Sequence, residues 1–497
     1  MTDFISRRLF LSLLGSTAAT AACAAPPTES LRPSVRGAEH AKKAIKGADA
    51  IVDAAQLNGQ VVFAVADATT GQKLEGGNAK VGTPPASVAK AITALYAMNV
   101  LGSGHRFSSQ LVATGSVSGG VVSGDLIFVG GGDPTLDTNG LAAMVASLKE
   151  RGIHEVRGGF KVAEGALPYV KTIDRDQPDH VGYSPAISGV ALNYNRVHFE
   201  WRRSGGAYNV AMDARSDRLR PTVYVTKMQI VDRSAPVYGY RDGGNSDDWT
   251  VARSALGGSG SRWLPVRKPA LYVGDVFQTL ARAQGIVLKN PEVVNRAPQG
   301  TVLVSRQSDD LRTILRDMLR FSTNITAEIV GMAATAKRTG RVPSGLKASA
   351  SEMNRWAGES LGTSNLRLVD HSGLGSASKI TADDMVQALL KTYDSNALRP
   401  ILKSFPMRDA NRRLIKDHPI QVDAKTGTLN FVSGLGGYMT APNGRVLAFA
   451  IFAADEATRS RISKAERESP QGGRSWNRRA KAMQQQLIER WGAIYGA

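Results

Sequence analysis
The sequence predicts an α+β fold interrupted by a large β-rich insertion, and three observations carry that prediction. Strand patterns stand near both ends of the chain, at Val61–Val65 and again at Gly434–Met439 and Val446–Phe452. Helical periodicity occurs beside them, in Ser87–Leu101, Leu311–Leu319 and the segment after Asn324. From 107 to 299, short alternating segments are punctuated by Gly119-Gly120, Gly130-Gly131-Gly132, Gly158-Gly159, Gly205-Gly206, Gly243-Gly244 and Gly257-Gly258. Glycine clusters mark turns, so 107–299 reads as one or two inserted domains, with 25–106 and 300–497 forming the interrupted one.

Taken in order, the chain opens on Ser6-Arg7-Arg8-Leu9-Phe10-Leu11, an apolar run to Leu14 and small residues through Ala25. A charged start, short apolar core and Ala-rich end describe a signal peptide over 1–24. The paired arginines resemble a twin-arginine export signal, so the expected location is periplasmic or exported. Cys23 is the only cysteine, and neither a disulfide nor thiol catalysis is predicted. Ala22-Cys23-Ala24 fits a cleavage site. The alternative is lipid attachment at Cys23, although Thr20 stands where a large aliphatic residue is usual.

Residues 26–50 read as a linker or first helix. Val61–Val65 is a strand, Asp67–Gly71 a turn, and Pro84-Pro85 stops the second short strand. Within Ser87–Leu101, Ile92, Leu95, Tyr96 and Met98 recur at helical spacing, and Gly102 closes the helix. Ala441-Pro442-Asn443-Gly444 joins the last two strands as a hairpin. The terminal helix sets Trp476, Met483, Leu487, Trp491 and Ile494 on one face. Beside Arg474, Arg478, Arg479 and Lys481 that stripe suits peripheral association with a membrane. A sheet with an apolar face also needs a cover, and packing is the favoured reading.

A formal charge of +19 favours anionic partners: nucleic acid, a membrane surface or acidic polymers. A solvated basic face is the plainer reading, and export removes nucleic acid from the set. Aromatic residues make up 6%, too few to indicate an aromatic platform for sugars or bases. The 7 histidines show no ligand spacing, and neither a metal nor another cofactor is predicted.

Three short motifs carry chemistry. Ser87-Val88-Ala89-Lys90 places a hydroxyl and an amine three residues apart on one helix face, within hydrogen-bonding reach. A serine needs a base to take its proton, and a neutral lysine can serve. From an ordinary pKa of ~10.4, that requires burial or a second cation to disfavour the ammonium by ~4 kcal/mol. Ser344-Gly345-Leu346-Lys347 and Ser376-Ala377-Ser378-Lys379 share the pattern, but only the first follows a Pro-Pro stop and opens an apolar helix. The other two read as surface turns. Ser322-Thr323-Asn324 lies between helical segments, where a hydroxyl can relay a proton and an amide can hold a carbonyl, although helix capping is the commoner role. In Lys425-Thr426-Gly427-Thr428, ammonium and hydroxyl suit a carboxylate, and glycine lets substrate approach the backbone.

In this order, the three resemble the Ser-x-x-Lys, Ser-x-Asn and Lys-Thr-Gly set of penicillin-binding proteins and serine β-lactamases. The long stretch between Lys90 and Ser322 resembles the class C low-molecular-mass penicillin-binding proteins, the D-Ala-D-Ala carboxypeptidase/endopeptidase family of the penicillin-binding protein 4 type. Gly124-Asp125-Leu126, Gly131-Gly132-Asp133-Pro134-Thr135-Leu136 and Asp370-His371-Ser372-Gly373-Leu374 agree with it; His371 and Gly375-Ser376 depart from the family's Asp-Gly-Ser-Gly-Leu-Ser-Arg pattern. The resemblance implies a penicillin-binding/β-lactamase-like transpeptidase domain, an antiparallel sheet covered by helices plus an all-helical lobe. It implies acylation of Ser87 by the penultimate D-Ala carbonyl of peptidoglycan peptides or by β-lactam antibiotics, with Lys90 as base. Ser322 and Asn324 then serve proton transfer and positioning. Lys425 attracts the substrate carboxylate and lowers the pKa of Lys90, Thr426, Gly427 and Thr428 bind substrate, and the Ser87 and Thr428 N–H groups form the oxyanion hole. A serine β-lactamase and a non-catalytic wall-binding protein are the alternatives.

Asp370-His371-Ser372 holds triad letters, but triad members meet in space rather than as neighbours, and it reads as a loop. Gly130–Pro134 lacks the Gly-Lys-Ser/Thr ending of a phosphate loop and reads as a turn.

Overall fold
Strand β1 (Gln60–Asp67) is buried at every position after Gln60, because both its faces are covered. Val62, Ala64 and Ala66 enter one core and Val61, Phe63 and Val65 another. Alternation here separates two apolar sets, which is why the segment reads as a continuous hydrophobic run. These elements belong to a computed structural model that describes residues 45–409 and 411–496; the segment read as a signal peptide and Cys23 lie outside them.

β1 pairs antiparallel with β2 (Lys73–Gly77). From the other end of the chain, β3 (Gln421–Leu429), β4 (Val432–Thr440) and β5 (Val446–Ala454) pair in succession, and β5 adds to the free side of β1. With the short segment Lys403–Ser404 beside β3, this makes a six-stranded antiparallel sheet.

On one face of the sheet, helix α1 (Ala89–Leu101) is buried all round from Ala89 to Ala97. The spacing of Ile92, Leu95 and Tyr96 therefore marks no single apolar face. α2 (Leu311–Phe321), α3 (Asn324–Thr339), α4 (Leu346–Leu361) and α5 (Ala382–Lys391) share its core through Leu315, Val330, Trp356 and Leu389. The other face is covered by α6 (Gly473–Tyr495), which packs Trp476, Met483, Leu487 and Trp491 with Phe63, Leu435 and Phe449. The apolar stripe is thus spent on the sheet rather than left for a membrane, and Ile494 at its end is only partly buried.

The stretch after α1 builds a second sheet of five strands, in the order 291–294, 160–163, 126–129, 108–113, 301–307. Segment 160–163 runs parallel to both 126–129 and 291–294. Parallel neighbours need crossovers, and helices Thr138–Glu150 and Pro269–Ala283 lie in them. The insertion is β-rich as expected and also carries these two helices: Leu141, Met144, Val145 and Leu148 form a helical stripe that the surrounding glycine clusters obscure. Its sheet also extends past the boundary expected at 299, since 301–307 pairs with 108–113. Gly205-Gly206 and Gly243-Gly244 turn hairpins as expected. Gly130 and Gly131 serve close packing as well, because a Cβ there would strike Val190 and Ser108.

Candidate active site
The second strand already ends at Gly77, so Pro84 and Pro85 do not stop it as expected; they follow an isolated bridge at Thr83, Ala86 takes a left-handed φ of 46°, and Ala86–Val88 form a 3-10 turn leading into α1. Ser87 therefore stands just ahead of α1, near the positive end of its dipole. The turn lies directly on the sheet: a Cβ on Gly427 would come 2.6 Å from the Pro85 carbonyl oxygen and 3.1 Å from the Ser87 nitrogen. Gly427 thus makes room for the Ser87 turn itself, beyond the expected approach of substrate.

Lys90 is fully buried in the first turn of α1. Its Nζ lies 2.9 Å from Ser87 Oγ, 2.7 Å from Asn324 Oδ1 and 2.8 Å from the Ser372 carbonyl oxygen. Asn324 donates through Nδ2 to the Tyr183 carbonyl at 2.9 Å, which fixes its amide with the oxygen toward Lys90. Two of the three neighbours can therefore only accept. A neutral amine must give its two N–H groups to them, which leaves its lone pair for the Ser87 O–H. Ser322, in the left-handed region at φ 59° between α2 and α3, accepts at 3.0 Å from Nζ of Lys425. Lys425 sits in the middle of β3 and also donates to the Thr426 carbonyl at 2.7 Å.

Burial lowers the Lys90 pKa to about 8, against the upward pull of Glu328 and Asp370. Burial likewise holds Lys425 well below the ordinary lysine range, followed by repulsion from Lys90 and Lys403. The expected influence of Lys425 on Lys90 is thus secondary: burial acts first on both amines, and the repulsion registers at Lys425. Glu328, pushed up to about 8 by burial and by Asp370, accepts from the N–H groups of His371 and Ser372, both at 2.9 Å. Asp370, raised by burial, accepts from those of Gly373 and Gly375, both at 2.6 Å. The two acids shape the 370–375 loop and so aim the Ser372 carbonyl at Lys90. Sequence reasoning missed both. The available signal was position: Glu328 lies one helical turn beyond Asn324 on the same face of α3.

A cavity of about 320 Å³ opens over Ser87, lined also by Ser322, Asn324, Gly373, Leu374, Thr428 and, from the insertion, Gln177 and Tyr183. Of the remaining candidates, Lys90 and Lys425 lie beneath its floor, Gly427 supports the Ser87 turn, and Thr426 is exposed outside the lining. Ser344, Lys347 and Ser376 are exposed, but only Ser376-Ala377 form the expected turn: Leu346 and Lys347 begin α4, and Ser378 is buried. His371 is buried with its ring 2.7 Å from Ser349 Oγ, far from any triad arrangement with its chain neighbours. No group of residues that could hold a metal ion occurs among the described residues.

Comparison with known proteins adds an independent line. The profile of the D-Ala-D-Ala carboxypeptidase 3 (S13) family matches residues 44–469. A D-alanyl-D-alanine carboxypeptidase of Actinomadura sp. is 28% identical over 440 residues, 81% of this chain and 79% of that protein. D-alanyl-D-alanine carboxypeptidase DacB of Haemophilus influenzae is 23% identical over 404 residues, 77% of this chain and 82% of its own length. In three dimensions the chain resembles the crystal structure of penicillin binding protein 4 from Haemophilus influenzae, with a TM-score of 0.68 at 20% identity over 82% of this chain and 93% of that one.

Proposed function
The chain belongs to the D-Ala-D-Ala carboxypeptidase 3 (S13) family, and from that premise we propose that it is an exported serine D,D-peptidase working through a Ser87 acyl-enzyme. Its fold is that of the penicillin-binding proteins. The substrates are peptidoglycan stem peptides ending in, or cross-linked through, D-Ala, with β-lactams as acylating ligands.

One observation carries the mechanism: Lys90 holds Ser87 Oγ at 2.9 Å while its other two partners can only accept. With a pKa of about 8, roughly one Lys90 in ten is neutral at pH 7. That fraction takes the Ser87 proton as Oγ bonds to the penultimate D-Ala carbonyl carbon. The oxyanion faces the N–H groups of Ser87 and Thr428, and each such donor is worth about 2.7–4 kcal/mol. As the C–N bond breaks, the leaving amine receives a proton through Ser322 Oγ, and D-Ala departs with its carboxylate held by Lys425. Water then attacks the ester with Lys90 again as base, restoring Ser87 and releasing the shortened peptide.

The outer edge of β3 supports this pose. Lys403–Ser404 pairs only with Ala424 and Asp423, so among the described residues the edge from Lys425 onward lacks a strand neighbour and can take an extended peptide. Thr428 faces the cavity at that edge, while Gln177 and Tyr183 supply the opposite wall.

Labelled penicillin tests the reading: a covalent adduct on Ser87, abolished in Ser87→Ala, together with D-Ala release from pentapeptide, is the expected result. Intact protein with no adduct and no D-Ala release sinks it. Digestion of purified cross-linked and uncross-linked muropeptides then measures endopeptidase against carboxypeptidase activity.

A further inference from the structure
His371 replaces the first glycine of the Asp-Gly-Ser-Gly-Leu pattern, and its ring makes contacts that a glycine cannot. The residue is fully buried, and its polar groups meet three different helices. Its N–H donates to Glu328 on α3 at 2.9 Å, and its carbonyl accepts from Thr93 Oγ1 on α1 at 2.6 Å. Ring Nε2 lies 2.7 Å from Ser349 Oγ and Nδ1 lies 3.3 Å from Met353 Sδ, both on α4. Ser349 Oγ donates to Thr335 Oγ1 at 2.8 Å, which meets the Tyr96 hydroxyl at 3.1 Å. The ring therefore ends a buried polar chain that crosses the helical lobe. α3 leaves a notch for it, since a Cβ on Gly331 would strike the imidazole. Burial pushes the His371 pKa down to about 3, so the ring is neutral, with one N–H and one lone pair. The Ser349 hydroxyl can match either.

The next residue is Ser372, whose carbonyl accepts from Lys90 Nζ at 2.8 Å. A single residue step thus separates the anchored ring from an acceptor that orients the base. α1 carries Lys90 and α3 carries Asn324, so His371 also ties together the helices that supply the base and its amide partner. We propose that His371 is a positioning residue for acylation: held by Ser349 in the notch at Gly331, its ring fixes the Ser372 carbonyl against Lys90 and keeps the Lys90 lone pair directed at Ser87. This rests on the D,D-peptidase reading above. Glu328 and Thr93 hold the same stretch by its backbone from α3 and α1, and the ring adds the tie to α4. A fully satisfied buried network is rigid, and a misplacement of about 1 Å near reacting atoms can cost on the order of a hundredfold in rate.

The test follows penicillin acylation of Ser87 to saturation in the full-length protein, which separates the acylation rate constant from the half-saturating concentration. His371→Leu fills the notch but has no polar tip. Its rate constant is expected to fall about tenfold or more, with the half-saturating concentration changed by less than about threefold. His371→Gln, whose amide can give or accept a hydrogen bond at Ser349, is expected to recover most of the rate. Ser349→Ala tests the same tie with the ring in place, and does so even if His371→Leu does not fold. It is expected to slow acylation in the same way and to add nothing to His371→Leu in the double variant. A space-filling role predicts that leucine serves as well as histidine. A wild-type rate constant in His371→Leu or in Ser349→Ala, or equal losses in the leucine and glutamine variants, overturns the proposal. If the wild type itself forms no adduct at Ser87, the D,D-peptidase reading has failed and the positioning role falls with it.

Discussion
In the insertion, buried Asp247 accepts from the Arg267 N–H at 2.8 Å and the Tyr240 hydroxyl at 3.0 Å, and Asp275 takes the N–H groups of Tyr224 and Val225. Beneath Ser87, by contrast, two buried lysines each reach a serine hydroxyl, Lys90 to Ser87 and Lys425 to Ser322. The insertion's acids satisfy backbone donors and brace a fold. The lysines' pKa values are lowered by burial, and their amines reach Ser87 and Ser322, whose side chains line an open cavity. The lesson is that burial of charge marks function only where the charged group meets a reactive partner beside open space.

The strongest way to break that contrast is Lys90→Gln. If Lys90 works as the base, penicillin acylation of Ser87 falls by about 10²–10⁴-fold. A rate within tenfold of wild type would make Lys90 a brace like Asp247.

The next effect is on stability. Full burial of His371 pushes its pKa down to about 3. The unfolded chain, with an ordinary histidine, binds the proton more readily, so this contribution is present above about pH 6.5 and is lost as pH falls toward 3. The associated loss in unfolding free energy is on the order of 4 kcal/mol. Denaturant midpoints of wild type and His371→Gln across pH 4–7 should show the slope in the first and its reduction in the second.

Asp247→Ala sharpens the other side of the comparison. Removing the acceptor of two hydrogen bonds should cost about 1–3 kcal/mol in urea unfolding, with the penicillin acylation rate unchanged. A large drop in acylation would show that the insertion's braces also tune the site.

The smallest effect belongs to Glu328→Gln. The Glu328 charge favours protonated Lys90, so its removal should move the rising limb of the acylation pH profile below about 8. The displacement is expected to be less than about one pH unit, because burial rather than Glu328 is the first influence on Lys90. A shift to higher pH would contradict the charge relation.

Local spacing and patterning by themselves determined much of this protein. The three-residue step from Ser87 to Lys90, the hairpin at 441–444 and the α6 stripe are each set by neighbours in the chain, where backbone geometry is regular. The crossover helices of the insertion were equally local, but glycine clusters gave a competing signal. Tertiary structure alone decided that Gly427 shelters the Ser87 turn and that Glu328 and Asp370 hold the loop whose Ser372 carbonyl meets Lys90. Those outcomes depend on burial and on through-space charge between residues distant in sequence. Such forces exist only after the chain has closed and water has been excluded.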